Sequence, residues 1–179
     1  MPWDVPEPSV HLRALDLPAG DGRRALVVGC GPGRDAEHLA ALGYRTTAFD
    51  ISATAIELAR ERHPGSPVDY VVADLFDPPP SWRQGFDLVL ESNTVQALPA
   101  GIRATAITSV GGFVAPGGTL IVLAAATTRL DSDGAGPPWP LTRDEIDAFG
   151  SDGLNPVTVD LVAAAGTALP TRWRALFTR

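Results

Sequence analysis

A short apolar segment that breaks into a glycine-rich turn constrains this chain more than any other feature. Residues 26–33 read Leu-Val-Val-Gly-Cys-Gly-Pro-Gly, with glycines at alternate positions Gly29, Gly31 and Gly33, and a helical pattern follows them. A second apolar stretch then ends in the carboxylate of Asp50. A strand, a glycine turn, a helix and a strand ending in an acid together predict the first βαβ unit of a nucleoside-binding fold.

The spacing of the glycines separates two classes of nucleoside site. A dinucleotide fingerprint reads G-x-G-x-x-G, and its third glycine lets the helix N-terminus meet a pyrophosphate. Counted from Gly29, that third position is Arg34, and the last glycine comes one residue early, after Pro32. The turn can bring its backbone close to a ligand, but the pyrophosphate signature is missing, which disfavours a nicotinamide-dependent oxidoreductase.

The glycine turn belongs to a series of motifs that resembles class I S-adenosylmethionine-dependent methyltransferases. The resemblance implies S-adenosylmethionine as cofactor and methyl transfer to a small-molecule acceptor by in-line displacement. Its motifs follow the family's order over most of the chain: Val28–Asp35, Asp50, Ala73–Phe76, Phe86–Glu91 and Val114–Gly118.

The resemblance assigns roles to the residues of the cofactor half. Asp50 would accept hydrogen bonds from a ribose diol, although it can also act as a negative charge before the helix that Ser52 caps. Asp74 would take the adenine amino group, with Leu75 and Phe76 beside the ring. We expect Cys30 to be a small residue of a tight turn and not a nucleophile. The predicted cofactor-binding residues are Gly29, Cys30, Gly31, Gly33, Asp50, Ile51, Asp74, Leu75 and Glu91.

The acceptor half is predicted from the segment after the fourth strand and from aromatic residues. Glu91, Asn93 and Gln96 lie where these enzymes place substrate groups, and Trp3 and Trp139 are candidate walls for a cationic methyl group. Soft acceptors such as thiols or halides need no base, whereas a phenol or amine would need one, and Glu91 is the candidate catalytic residue. The segment lacks the Asn/Asp-Pro-Pro-aromatic stretch of methyltransferases that act on nucleobases and amides.

Three further segments resemble the thiopurine, halide and tellurite methyltransferase-like group. They are the Pro-Trp-Asp entry at Pro2–Asp4, the Gly-Pro-Pro loop at Gly136–Pro140, and the terminal Arg172–Arg174. That group implies a thiol, halide or metalloid oxyanion as acceptor. Its members carry a helical lid upstream of the Trp-Asp, whereas only Met1 and Pro2 precede it here. We therefore expect a trimmed chain or a more open cleft, and a non-catalytic or partner-dependent binding module is the alternative.

The alternation of apolar segments predicts a Rossmann-like, doubly wound α/β fold. Runs such as residues 120–123 suit a mostly parallel sheet buried on both faces, and the resemblance implies seven strands with the last antiparallel. We expect one domain over 1–179, with a short N-terminal arm over 1–24. Strands are predicted at 25–29, 45–49, 68–73, 86–91, 118–125, 156–161 and 172–178, and helices at 34–42, 52–63, 99–112 and 142–149.

Charge and composition exclude several classes of function. A net charge of −7 argues against nucleic acid as substrate, because phosphate binding needs a basic face. No apolar run is long enough for a membrane span, and a single cysteine fits a reducing cytoplasm. The three histidines stand at no metal-ligand spacing, so no metal is expected. We expect a cytoplasmic protein that is a monomer or weak dimer.

Overall fold

A seven-stranded sheet organises the parts of the chain that the structure describes. The structure is a computed structural model that describes residues 7–126, 137–163 and 172–179. The strand order is β3-β2-β1-β4-β5-β7-β6, and β7 runs antiparallel to both of its neighbours, which confirms the predicted fold class. The strands are β1 Arg24–Val28, β2 Arg45–Asp50, β3 Asp69–Val72, β4 Phe86–Ser92, β5 Val114–Ala125, β6 Asn155–Val162 and β7 Arg172–Thr178.

Helices cover both faces of this sheet. They are α1 Val10–Arg13, α2 Arg34–Ala41, α3 Ala53–Arg62, α4 Ala100–Gly112 and α5 Arg143–Asp147, with 3₁₀ turns over Pro80–Trp82, Val95–Ala97 and Ala148–Gly150. The core is divided into two clusters of buried residues: side chains of α1, α2 and α3 belong to one, and those of α4 and α5 to the other. No helix in these described ranges is long and apolar enough to cross a membrane.

Capping side chains fix where two of the helices begin. The Ser52 hydroxyl accepts a hydrogen bond from the Ala55 amide at 3.2 Å, which confirms the predicted N-cap of α3. Thr142 and Glu145 form a capping box at the start of α5, because each side chain accepts from the backbone of the other residue.

The structure departs from the sequence predictions in two places. The predicted N-terminal arm contains α1, and Leu12 on this helix is fully buried in the core. Strand β5 begins at Val114 instead of residue 118, because the Ala-Pro-Gly-Gly segment forms an irregularity inside the strand. The pairing with β4 passes there from Phe86–Val114 to Leu88–Thr119.

The strand directions bring distant segments to one edge of the sheet. The carboxyl ends of β1, β2, β4 and β5 lie along that edge, where open α/β sheets bind ligands. Because β7 is antiparallel, its first residue, Arg172, pairs with Ala125 at the carboxyl end of β5. Arg172 therefore reaches the same edge as the glycine turn.

Candidate active site at the carboxyl edge of the sheet

The three glycines of the turn are required for two different reasons. All have positive φ angles, namely 59° at Gly29, 50° at Gly31 and 88° at Gly33. An added Cβ would lie 2.4 Å from the Thr94 hydroxyl at Gly29 and 2.2 Å from the Tyr70 hydroxyl at Gly33. At Gly31 the same atom would meet nothing within 4 Å. The first and last glycines therefore serve packing, and Gly31 faces the open space through which a ligand can approach the backbone.

A network of side chains supports the turn from behind. The hydroxyls of Tyr70 and Ser66 both donate to Glu37 Oε1, at 2.6 Å and 2.5 Å. Burial and the neighbouring Glu37 raise the pKa of Tyr70, so its hydroxyl stays protonated and acts as a donor. His63 Nε2 lies 3.2 Å from the carbonyl oxygen of Pro32 inside the turn. These contacts hold the turn in place.

Cys30 has the chemistry of a structural residue. Burial raises the pKa of its thiol to about 12, and the Asp50 carboxylate contributes in the same direction. The Cys30 amide donates to the carbonyl of Phe49 at 2.8 Å, which ties the turn to the end of β2. A thiol that stays protonated is a poor nucleophile, in agreement with the sequence prediction.

Asp50 performs the structural task considered for it and keeps capacity for a ligand. Its Oδ2 accepts from the Gly31 amide at 3.0 Å, and its Oδ1 accepts from the Ser52 amide at 2.9 Å. The carboxylate therefore joins the glycine turn to the first residues before α3. A carboxylate offers about four lone-pair positions, so about two remain for a diol. The two interpretations of Asp50 are thus compatible.

An exposed apolar rim lies beside Asp50. Ile51 is 71% exposed and Phe76 is 42% exposed, while Leu75 packs in the core. Asp74 turns the chain between them, because its Oδ1 accepts from the Phe76 amide at 2.8 Å. Of the two residues predicted to flank the adenine, Leu75 is therefore buried and Phe76 is exposed, and the exposed side chains of Phe76 and Ile51 are free to cover a ring.

Glu91 lies beneath the cleft and not on its surface. Its side chain is fully buried at the end of β4, and Oε1 accepts from the amides of Thr94 at 2.7 Å and Val95 at 3.0 Å. Oε2 has no hydrogen-bond partner among the described residues. Burial raises the pKa of Glu91 to about 7. The hydrogen bonds from the two backbone amides and the positive charge of Arg172 lower this pKa but do not cancel the effect of burial. Its role as a base stays a prediction.

Thr94 connects the two halves of the cleft, and sequence reasoning missed it. Its amide donates to Glu91, while its hydroxyl donates at 2.8 Å to the carbonyl of Val28, 66 residues away in the chain. The same side chain fills the space beside Gly29. A threonine after a strand gives no sequence signal for such a contact, because only the pairing of β1 with β4 brings it there.

The predicted substrate-binding residues differ in burial and in their hydrogen-bond partners. Asn93 is half-buried in a left-handed conformation, with φ of 65°, and its Oδ1 accepts from the Arg172 guanidinium. Gln96 is buried, and its Oε1 accepts from the Ala125 amide at 2.6 Å, so its side chain secures the end of β5. The Trp139 amide donates to the Gln96 carbonyl at 2.8 Å. Trp3 lies outside the described residues.

The structure brings two arginines to this cleft that were not predicted as site residues. Arg34 is the first residue of α2, directly after the glycine turn, and Arg172 reaches Asn93 from β7. Both residues are half-buried. Across the described ranges, no group of three His, Cys, Asp or Glu side chains is arranged to hold a metal ion.

Comparison with known proteins agrees with this architecture. The family model for a methyltransferase domain matches residues 25–118. Thiocyanate methyltransferase 1 of Arabidopsis thaliana is 31% identical, with 96% of this chain and 74% of the relative covered. A probable thiol methyltransferase 2 of the same organism is 29% identical over 82% of this chain, which spans 65% of that relative's length.

Solved structures share the fold. A protein studied for the conversion of a disulfide bond into a thioacetal group during echinomycin biosynthesis has a TM-score of 0.76 at 28% identity, with 99% of this chain and 84% of that chain covered. A TehB-like methyltransferase from Corynebacterium glutamicum has a TM-score of 0.70 at 21% identity, covering 94% and 86%. The chain therefore belongs to the methyltransferase-domain family, as a class I S-adenosylmethionine-dependent member related to the thiol methyltransferases.

Proposed function

We propose that this protein binds S-adenosylmethionine at the carboxyl edge of its sheet and transfers the methyl group to a small, soft acceptor, a thiol or a small inorganic anion. The observation behind this proposal is the pairing of Gly31 with Asp50. The turn exposes its backbone to open space at Gly31, and the carboxylate that fixes this turn keeps free lone pairs beside it.

The residues of the cofactor half fit the parts of such a molecule. The backbone around Gly31 would lie against the amino-acid portion, and Asp50 would accept hydrogen bonds from the ribose diol. Ile51 and Phe76 would cover the adenine ring, whose burial would remove exposed apolar surface from water. Asp74 would accept a hydrogen bond from the adenine amino group. When bound, the cofactor supplies a methyl group already activated by its sulfonium.

The task left to the protein is alignment and exclusion of water. Holding two reactants in line is worth about 7–11 kcal/mol of the barrier, which removes the need for a strong base when the acceptor is already a nucleophile. A reaction without a strong base is consistent with the buried position of Glu91, because one of its carboxylate oxygens already accepts hydrogen bonds from two backbone amides. A thiolate or small anion would react without losing a proton, whereas a phenol or an amine needs a base within reach.

The relatives and the charge support the same class of acceptor. Relatives of about 30% identity carry the names thiol and thiocyanate methyltransferase, although the chain spans 61–65% of the length of two of them. The net charge of −7 disfavours nucleic acid, so we propose a small molecule.

The test measures methyl transfer from labelled S-adenosylmethionine to a panel of thiols, iodide, thiocyanate, metalloid oxyanions and phenols. Calorimetric titrations of S-adenosylhomocysteine and NAD accompany it. We expect binding of S-adenosylhomocysteine without useful affinity for NAD, and turnover with thiols or small anions. Preferential binding of NAD would contradict the cofactor assignment. Binding of S-adenosylhomocysteine with no turnover of any acceptor would favour the non-catalytic module instead.

A further inference from the structure

Two arginines lie on opposite sides of the cleft of this acidic protein. The Arg172 guanidinium donates to Asn93 Oδ1, just beyond the carboxyl end of β4. Arg34 lies across the cleft at the start of α2. Both arginines are half-buried. They place positive charge at the cleft of a chain whose net charge is −7.

Arg172 lacks a full counter-charge in the ranges 7–126, 137–163 and 172–179. The ion pairs found there do not include it. Burial lowers the pKa of Arg172, the nearby Glu91 raises it, and the Arg34 cation lowers it again. Glu91 itself has a pKa raised to about 7, so around neutral pH it supplies only part of a negative charge. A half-buried guanidinium with a neutral amide as its hydrogen-bond partner can still bind an anion.

The sheet topology places the backbone of Arg172 away from the glycine turn and Asp50. The glycine turn follows β1 and Asp50 ends β2, whereas Arg172 starts β7 and pairs with Ala125 of β5. Neighbouring strands are about 4.8 Å apart, so β7 lies roughly 14 Å from β1 along the sheet. The Arg172 side chain crosses back to Asn93, the residue after β4, in the segment predicted to contact the acceptor.

We propose that Arg172, oriented by Asn93, binds the negative charge of an anionic methyl acceptor and thereby selects anions over neutral phenols and amines. This proposal rests on the methyl-transfer function proposed above. In the reaction, the acceptor's lone pair forms a bond to the methyl carbon as the bond from that carbon to the sulfonium sulfur breaks. The acceptor loses its negative charge, the sulfonium becomes a neutral thioether, and no proton is released.

Charge cancellation decides which kinetic constant Arg172 controls. The acceptor's negative charge is largest in the bound ground state and declines towards the transition state. An arginine that holds this charge therefore contributes to acceptor binding and not to the chemical step. Its removal is expected to raise the KM for thiocyanate or iodide about tenfold or more, with kcat changed by less than about threefold.

The experiment compares wild type with Arg172→Gln, Arg172→Lys and Arg174→Gln. Arg174 is a matched control, because it lies two residues along β7, is also half-buried, and faces Asp160 at 3.8 Å. Thiocyanate is titrated calorimetrically into each protein, with and without S-adenosylhomocysteine, and circular dichroism verifies folding. We expect thiocyanate affinity to fall about tenfold or more in Arg172→Gln, to recover in part in Arg172→Lys, and to stay unchanged in Arg174→Gln.

A second arm identifies the source of the anion. It compares the affinities of S-adenosylhomocysteine, which carries a carboxylate, and of methylthioadenosine, which lacks that carboxylate. If Arg172→Gln weakened only S-adenosylhomocysteine, the arginine would hold the donor's carboxylate and the proposal would be overturned. Unchanged thiocyanate affinity in folded Arg172→Gln, or no thiocyanate binding by wild type, would also overturn it. Arg172-dependent thiocyanate binding without turnover would support the anion site while contradicting the proposed reaction.

Discussion

The two halves of the cleft are built by different means. The donor half, consisting of residues 29–33 and Asp50, is assembled from backbone groups and one carboxylate within a short stretch of chain. The acceptor half, consisting of Glu91, Asn93 and Arg172, is assembled from side chains, and its bond between Asn93 and Arg172 joins residues 79 positions apart. Thr94 connects the halves through Glu91 and Val28. Under the proposed function, recognition of the donor would therefore be a local property of the chain, and selection of the acceptor would depend on long-range packing.

The largest effect on affinity is expected from a substitution in the donor half alone. In Gly31→Val the side chain would occupy the open space beside the turn, and we expect S-adenosylhomocysteine affinity to fall more than about a hundredfold. Gly22→Val is the matched control, because Gly22 also has positive φ, 75°, and open surroundings but lies in an exposed turn. Calorimetric titration measures affinity, and urea unfolding measures the strain common to both variants. Wild-type affinity in folded Gly31→Val would show that this turn is not the donor site.

A smaller loss is expected when the carboxylate of the donor half is made neutral. Asp50→Asn should reduce S-adenosylhomocysteine affinity roughly tenfold to a hundredfold, because hydrogen bonds to a charged group contribute about 1.5–3 kcal/mol. The free energy of unfolding should also fall by about 1 kcal/mol, since an amide nitrogen cannot accept from the Gly31 or Ser52 amides.

Asp87→Asn separates these two consequences. Asp87 Oδ2 accepts from the Arg24 amide at 2.8 Å at the start of β1, on the opposite edge of the sheet. This control variant should lose stability to a similar extent while its cofactor affinity stays at the wild-type value. Equal affinity in Asp50→Asn and Asp87→Asn would leave Asp50 with a structural role only.

The contrast between the halves also explains what the sequence could predict. The turn after β1, the position of Asp50 at the end of β2, the Ser52 cap and the alternation of strands are signals carried by neighbouring residues, and the structure shows each of them. The ligand roles of the turn and of Asp50 stay predictions. The packing contacts that require glycine at positions 29 and 33 were not predictable, because they are made with Thr94 and Tyr70, which are distant in the sequence.

Residues of the acceptor half were only partly predictable. Asn93 was selected for its position after the fourth strand, but its partner Arg172 comes from β7, whose antiparallel entry beside β5 is a tertiary property. Gln96 carries the same polar signal as Asn93, yet its amide oxygen accepts from the backbone of Ala125. Residue type and spacing do not distinguish a side chain that faces a ligand from one that secures a strand.

An ionisation in the acceptor half should appear as a pH-dependent stability. The pKa of Glu91 is about 7 in the folded state against 4.5 in the unfolded chain, so the unfolded state releases this proton first as pH rises. The stabilising contribution of protonated Glu91 is complete below about pH 4.5 and is lost as pH approaches 7. Between pH 6 and 7 the wild type should lose about 1 kcal/mol relative to Glu91→Gln.

Urea unfolding at several pH values between 5 and 8 measures this difference. Glu57→Gln is the control, because Glu57 is an exposed glutamate on α3. A pH-independent difference between wild type and Glu91→Gln would contradict the raised pKa. Unchanged S-adenosylhomocysteine affinity in Glu91→Gln would assign the residue to the acceptor half alone, and a loss of affinity would support its prediction as a cofactor contact.

The smallest expected effect tests how far the donor half extends beyond Asp50. Ile51 is 71% exposed, so Ile51→Ala removes little that stabilises the fold, and the free energy of unfolding should change by less than about 0.5 kcal/mol. A bound adenine ring would cover this side chain, and losing part of that contact should weaken S-adenosylhomocysteine binding about threefold. Ile102→Ala on α4, at a residue that is 40% exposed, provides the control and should leave affinity unchanged. If Ile51→Ala bound as tightly as wild type, the ring would have to lie against Phe76 instead, and the locally encoded half of the cleft would end at Asp50.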